Sequence, residues 1–104
     1  MQNVQAAGSF FTNPVAPESV QKLFEEEKHA QSREGRVPAG WLIEKVGMKG
    51  KMVGGAVASE QHPNYLVNTG GATSKDVLEL ARKIKSAVRE QFGVYLVEEA
   101  AVLA

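Results

Sequence analysis

Apolar positions along this chain follow two different periods, and the switches between them mark the expected elements. In "ESVQKLFEEEK", residues Glu18–Lys28, Val20, Leu23 and Phe24 fall at helical spacing while an acidic run faces water. A short amphipathic helix opened by Pro17 is expected there. "AGWLIEKVGMKG" sets Trp41, Leu42 and Val46 on one side of a second short helix, with Gly47 as its stop. The clearest pattern is Val77, Leu80, Ala81, Ile84 and Val88, which predicts a long helix from about Ser74 to about Gln91. Thr73, with Asp76 three residues on, supplies a start resembling a capping box, and Gly93 supplies the end.

Between the helices the apolar residues are β-branched or aromatic and come in shorter runs. "KMVGGAVA" at 51–58 reads as a strand broken by Gly54-Gly55, where it bends or lets another backbone or a ligand come close. "NYLVNTGG" at 64–71 is a second strand, and Ser59–Pro63 is short enough to join the two as antiparallel neighbours. Short strands are also expected at Ser9–Thr12 and at "VYLV", 94–97, while the polar stretch His29–Pro38 reads as a loop. No regular βαβ repeat is present. The expected class is therefore α+β, a small, mainly antiparallel sheet packed against helices, one of them long and near the C-terminus. The expected core is Trp41, Leu42, Val57, Leu66, Leu80, Ile84 and Val88.

Length and charge narrow the picture. A chain of 104 residues is expected to form a single domain over residues 1–104. Twelve basic residues balance twelve acidic ones, which removes any general attraction to nucleic acid or membrane and confines anion binding to local sites. No apolar run approaches the ~20 residues of a membrane helix, and "MQNVQAAGS" lacks the basic and apolar regions of a signal peptide, so a cytoplasmic location is the expectation. The absence of cysteine excludes disulfides, thiolate metal sites and a cysteine nucleophile. His29 and His62 stand far apart without a glutamate-rich frame, so no metal site is expected.

Three patches could carry chemistry. Ser9, in "AGSFFTNP", either presents its hydroxyl to a cleft or simply forms a turn; the glycine frame of a nucleophile elbow is missing around it. Gly70-Gly71, before the long helix, could offer backbone N–H groups to a phosphate with help from Lys49 or Lys51, or could be a plain turn. Neither a P-loop nor a dinucleotide fingerprint is present. Glu98-Glu99, after the last expected strand, is either a solvated pair or holds a general acid or base raised by burial.

Taken together, "AGSFFTNP", "AGWLIEKVGMKGKMVGGAVASEQHPNYLVN", "GGATSKDVLELA" and "FGVYLVEE" resemble the C-terminal, substrate-binding domain of the UDP-N-acetylenolpyruvoylglucosamine reductases, the MurB family. The resemblance runs from Ala7 to Leu103 and keeps the order and internal spacing of all four blocks. It implies an enzyme that reduces the enolpyruvyl ether of UDP-N-acetylglucosamine for peptidoglycan synthesis, using NADPH through bound FAD. It further implies that Ser9 is the proton donor, that Glu99 lies by the substrate carboxylate, that Asn13 contacts the nucleotide-sugar and that His62 faces the UDP moiety. The family's Glu-Pro-Glu-Val-Arg ending is replaced here by Val97, Glu98, Glu99, Ala100 and Ala101, so a basic residue gives way to alanine.

In the family the FAD-binding domain precedes this segment, and none is expected within these residues. The chain is then expected to bind the nucleotide-sugar substrate, to hold neither FAD nor NADPH alone, and to need the flavin domain for activity. The competing expectation is a stand-alone binding or interaction module that keeps the fold without reductase activity.

Overall fold

The computed structural model describes residues 10–98. Element order is α1 (Glu18–Lys28), α2 (Ala39–Lys45), β1 (Met52–Val53), β2 (Ala56–Ala58), β3 (Leu66–Asn68) and α3 (Ser74–Phe92). The strands form one antiparallel sheet in the order β1-β2-β3, with Val53 opposite Ala56, and Ala58 opposite Leu66. This is the expected α+β arrangement, with the long helix last.

Helix α3 forms where the sequence pattern places it, and both ends have a local cause. The Thr73 hydroxyl accepts from the Asp76 N–H while the Asp76 carboxylate accepts from the Thr73 N–H, a complete capping box. Gly93, at φ +70°, closes the helix in the left-handed region that a side chain would resist. The buried face is Leu80, Ala81, Ile84 and Val88, lying against the sheet. In β2 the residues turned inward are Ala56 and Ala58, both fully buried, whereas Val57 is only half-buried. The expectation that Val57 belongs to the core is therefore corrected. Alternation along a strand sends neighbours to opposite faces, and two alanines leave room for the bulky side chains of α3.

The expected single strand over 51–58 is two strands, because Gly54-Gly55 reverses the chain between β1 and β2. Gly55 also permits a close backbone approach. A Cβ there would overlap the Gly70 carbonyl oxygen and lie 2.8 Å from the Ala72 nitrogen. Gly55→Ala is expected to cost ~1–3 kcal/mol, the range for forcing atoms into a packed site, read as a lowered urea midpoint.

Helices α1 and α2 join the core through Trp41. Its ring meets Phe24 edge-on at 5.3 Å and lies 6.1 Å from Phe92, so one side chain links α1, α2 and α3. Leu23, expected on the buried face of α1, is 40% exposed; Val20 and Phe24 alone are buried. The Trp41 Nε1–H donates to Glu27 Oε1 at 2.7 Å, and Lys45 Nζ donates to Glu27 Oε2 at 2.6 Å. The Lys45 bond first, and then the Trp41 bond, holds the Glu27 carboxyl below its ordinary pKa. The folded state thus binds fewer protons than the unfolded one at this group. Its contribution is present above the usual glutamate pKa of about 4.3 and is lost as pH falls through the lower folded value. Below the usual glutamate range, acid titration followed by Trp41 fluorescence should show a transition that Glu27→Gln removes.

The expected strands at Ser9–Thr12 and 94–97 do not form a regular ladder. Within the described residues these segments meet at one antiparallel bridge, Phe11 with Glu98. Segment 94–97 nonetheless keeps a two-residue period, with Val94 and Leu96 buried and Tyr95 and Val97 exposed.

Candidate functional site

Ser9 and Glu99 lie just outside the described residues, and the structure bears on them through the peptides that adjoin them. After Ser9 come Phe10 and Phe11, 2% and 1% exposed, with their rings edge-to-face at 4.9 Å. The chain bends at Phe10, and both aromatic side chains enter the core.

Both edges of the segment are also held. On one side the Thr12 N–H donates to the Val97 carbonyl at 2.9 Å, and Phe11 bridges to Glu98. On the other, the Phe11 N–H donates to Asn64 Oδ1 and Asn64 Nδ2 donates to the Phe11 carbonyl, each at 2.9 Å. The Phe10 N–H donates to the Asn64 main-chain carbonyl at 2.7 Å. Segments 10–12 and 97–98, remote in sequence, are thereby set side by side, with Asn64 of the connector between β2 and β3 on the other edge.

Asn13 is exposed, yet its side-chain oxygen is already engaged. Oδ1 accepts from the Ala39 N–H at 2.9 Å, supplying α2 with the cap that Pro38 at its N-cap position does not provide. The Asn13 main-chain carbonyl accepts from the Arg36 guanidinium at 2.7 Å, and the Val37 N–H donates to Pro14 at 3.0 Å. Asn13 also borders an open cavity of about 520 Å³ with Gln31, Arg33, Arg36 and Pro38. Its NH2 remains for a ligand. Arg33 and Arg36 line this cavity together with Glu34, all three from the loop at 29–38, so its charged lining carries a small positive excess.

His62 is exposed on the β2–β3 connector, its ring 5.3 Å from that of Tyr65. The Ser59 hydroxyl accepts from the Gln61 and His62 N–H groups, and the Tyr65 N–H donates to the His62 carbonyl at 2.8 Å, which fixes the turn. His62 and Asn13 share no hydrogen bond among the described residues. Their segments are joined through Asn64, two residues after His62. Sequence reasoning missed Asn64, although one signal was available. It shares strand parity with the buried Leu66, and a polar side chain on the inward side of a strand needs partners.

At the other chain end, Lys85 Nζ donates to both Glu98 oxygens at 3.1 and 3.2 Å. A cation from α3 therefore stands beside the residue preceding Glu99. Arg89 lies over the Tyr95 ring at 5.1 Å, and the same face bounds a groove of about 200 Å³.

Comparison with known proteins bears on what this arrangement serves. The family model described as "UDP-N-acetylenolpyruvoylglucosamine reductase, C-terminal domain" matches residues 1–103. The chain belongs to the MurB C-terminal domain family. The UDP-N-acetylenolpyruvoylglucosamine reductase of Photobacterium profundum is 42% identical over 99 residues, covering 89% of this chain and 29% of that enzyme. The enzyme of the same name from Flavobacterium johnsoniae is 38% identical over 103 residues, covering 93% and 31%. The crystal structure of MurB from Thermus caldophilus superposes with a TM-score of 0.58 at 34% identity, covering 95% of this chain and 27% of that one. This MurB-family chain thus spans less than a third of the length of these relatives.

The glycine turn before α3 does not fit the phosphates of a flavin or dinucleotide. The Gly70 and Ala72 N–H groups donate to Asn68 Oδ1, and the Thr73 and Asp76 N–H groups are taken by the capping box. The Asp76 carboxylate at the helix start would repel an anion. The phosphate alternative for Gly70-Gly71 gives way to the plain turn. Among the described residues no group of three or more His, Asp or Glu could hold a metal ion, and no helix is long and apolar enough to cross a membrane.

Proposed function

We propose that this chain is the substrate-binding and proton-donating part of a reductase that converts the enolpyruvyl ether of UDP-N-acetylglucosamine to UDP-N-acetylmuramate. The observation that carries the reading is the Phe11–Glu98 bridge with its adjoining Thr12–Val97 hydrogen bond. It draws together the peptides that follow Ser9 and precede Glu99, as a shared site for those two residues requires.

The reduction adds a hydride equivalent and a proton across the enolpyruvyl double bond. The proton is this segment's part; the flavin and NADPH that furnish the hydride belong to the remainder of the reductase. The Ser9 hydroxyl donates to the carbon next to the substrate carboxylate as enolate charge collapses there. Glu99 in its neutral form hydrogen-bonds that carboxylate and orients it, since an ionised glutamate would repel it. Asn13, through the NH2 not engaged by α2, and His62, on its exposed turn, contact the nucleotide-sugar. Arg33 and Arg36 line the same cavity and outnumber its one carboxylate, Glu34, which leaves a small positive excess for a diphosphate.

Calorimetric titration of the chain with UDP-N-acetylglucosamine and with UDP tests the binding part of this reading. Saturable heat is expected for both, weakened by Asn13→Ala. Absence of heat with either ligand would count against a substrate-binding role.

A further inference from the structure

Resting on that reading, we propose that Asn64 is a positioning residue that sets the backbone immediately after Ser9, and through it the aim of the serine hydroxyl. Asn64 is the buried polar residue among the described residues, 7% exposed inside an otherwise apolar core. Burying a carboxamide is unfavourable unless its polar atoms find partners, and here the oxygen and the nitrogen each bond to the same residue. Oδ1 accepts from the Phe11 N–H and Nδ2 donates to the Phe11 carbonyl, across 53 positions of sequence. This reproduces with a side chain the two-bond exchange of a hydrogen-bonded antiparallel pair.

The need for such a device follows from the edges of the segment. Thr12 turns its N–H toward Val97, while Phe11 turns both its polar groups the opposite way, toward Asn64. Among the described residues no strand lies on that side, and the amide of Asn64 takes the place of one. Leucine keeps the branched shape, with somewhat more bulk, but offers neither bond. Aspartate keeps the acceptor and loses the donor. Glutamine adds a methylene that the buried site would have to absorb. The group clamped is two residues from the proton donor, and a donor misplaced by even ~1 Å loses up to about 100-fold in rate.

The test uses Asn64→Leu and Asn64→Asp, each in this chain and in the full-length reductase that carries it. In the chain, amide hydrogen exchange should show Phe11 losing protection in Asn64→Leu by about tenfold or more, while Ile84 and Val88 in α3 keep theirs. In the reductase, kcat for the enolpyruvyl substrate should fall roughly 10- to 100-fold with KM changed less than about threefold, and NADPH-dependent flavin reduction should be unaltered. Asn64→Asp should fall between wild type and Asn64→Leu.

A residue that only stabilises the fold would lower melting temperature while leaving kcat intact well below it, and that outcome overturns the proposal. Unchanged Phe11 exchange in both variants overturns it as well. If Asn64→Leu does not fold, Asn64→Asp decides alone, and wild-type kcat in it rejects the positioning role. Failure of the wider reading is separable: it would appear as full turnover in Ser9→Ala, whereas the clamp is judged by Phe11 exchange whatever the reaction.

Discussion

Ser9→Ala, made in the full-length reductase that carries this segment, is expected to lower kcat by roughly 100- to 10,000-fold, the range for removal of a general acid. A serine hydroxyl is a weak acid and gives up a proton usefully only when it is held against the carbon where charge develops. What the structure describes is the segment that follows Ser9. Phe10 and Phe11 are buried, Asn64 and Val97 grip the two edges, and Arg36 and Ala39 fix Asn13 at the far end. A segment held in this way suits the proposed role, which needs a donor fixed in position. KM should change far less than kcat, because in the proposed role the hydroxyl acts on the reacting carbon and not on the nucleotide. Flavin reduction by NADPH, followed by loss of flavin absorbance, should proceed as in wild type, since it precedes proton donation. Turnover within about threefold of wild type would assign the proton to another group. Loss of both half-reactions together would point to a disturbed fold.

The parts of this molecule legible in sequence are those whose causes are local. Helix α3 announces itself through its four-residue period, its Thr73–Asp76 box and Gly93, and the structure extends it by one residue beyond Gln91. The β2–β3 pairing follows from two strand-like runs with a short connector. What was not legible depends on partners far away in sequence. Val57 looks like the core residue of β2, but the bulk of Leu80, Ile84 and Val88 requires small residues opposite, so Ala56 and Ala58 turn inward. Among the described residues the segments at 10–12 and 94–98 meet at a single bridge, and the outward-facing bonds of Phe11 go to the Asn64 side chain, a partner 53 positions away that no local pattern announces. At the site, Asn13 reads as a ligand contact from the family pattern, whereas its role as the cap of α2 emerges only when residues 13 and 39 are brought together.

Leu80→Ala is expected to cost ~2–5 kcal/mol of stability, the range for a fully buried leucine. Leu80 is fully buried and belongs to the α3 face that packs on β1 and β2. Its neighbours cannot readily collapse into the space. Ala56 and Ala58 are already small, their positions are fixed by pairing with Asn68 and Leu66, and Gly55 is locked against Gly70 and Ala72. The substitution therefore loses the transfer free energy of the removed atoms and leaves much of the cavity open, which favours the upper part of the range. A domain of this length is stabilised by about 5–15 kcal/mol, so the loss is a large fraction of the total. Urea unfolding should show a lowered midpoint with an unchanged slope, because the surface exposed on unfolding stays nearly the same. Leu78→Ala, two residues earlier on the same helix and 49% exposed, should change stability by no more than about 0.5 kcal/mol. Similar losses for both substitutions would mean that the sheet does not read α3 by the face that buries Leu80, and with it the placement of β3 and of the connector bearing His62 and Asn64.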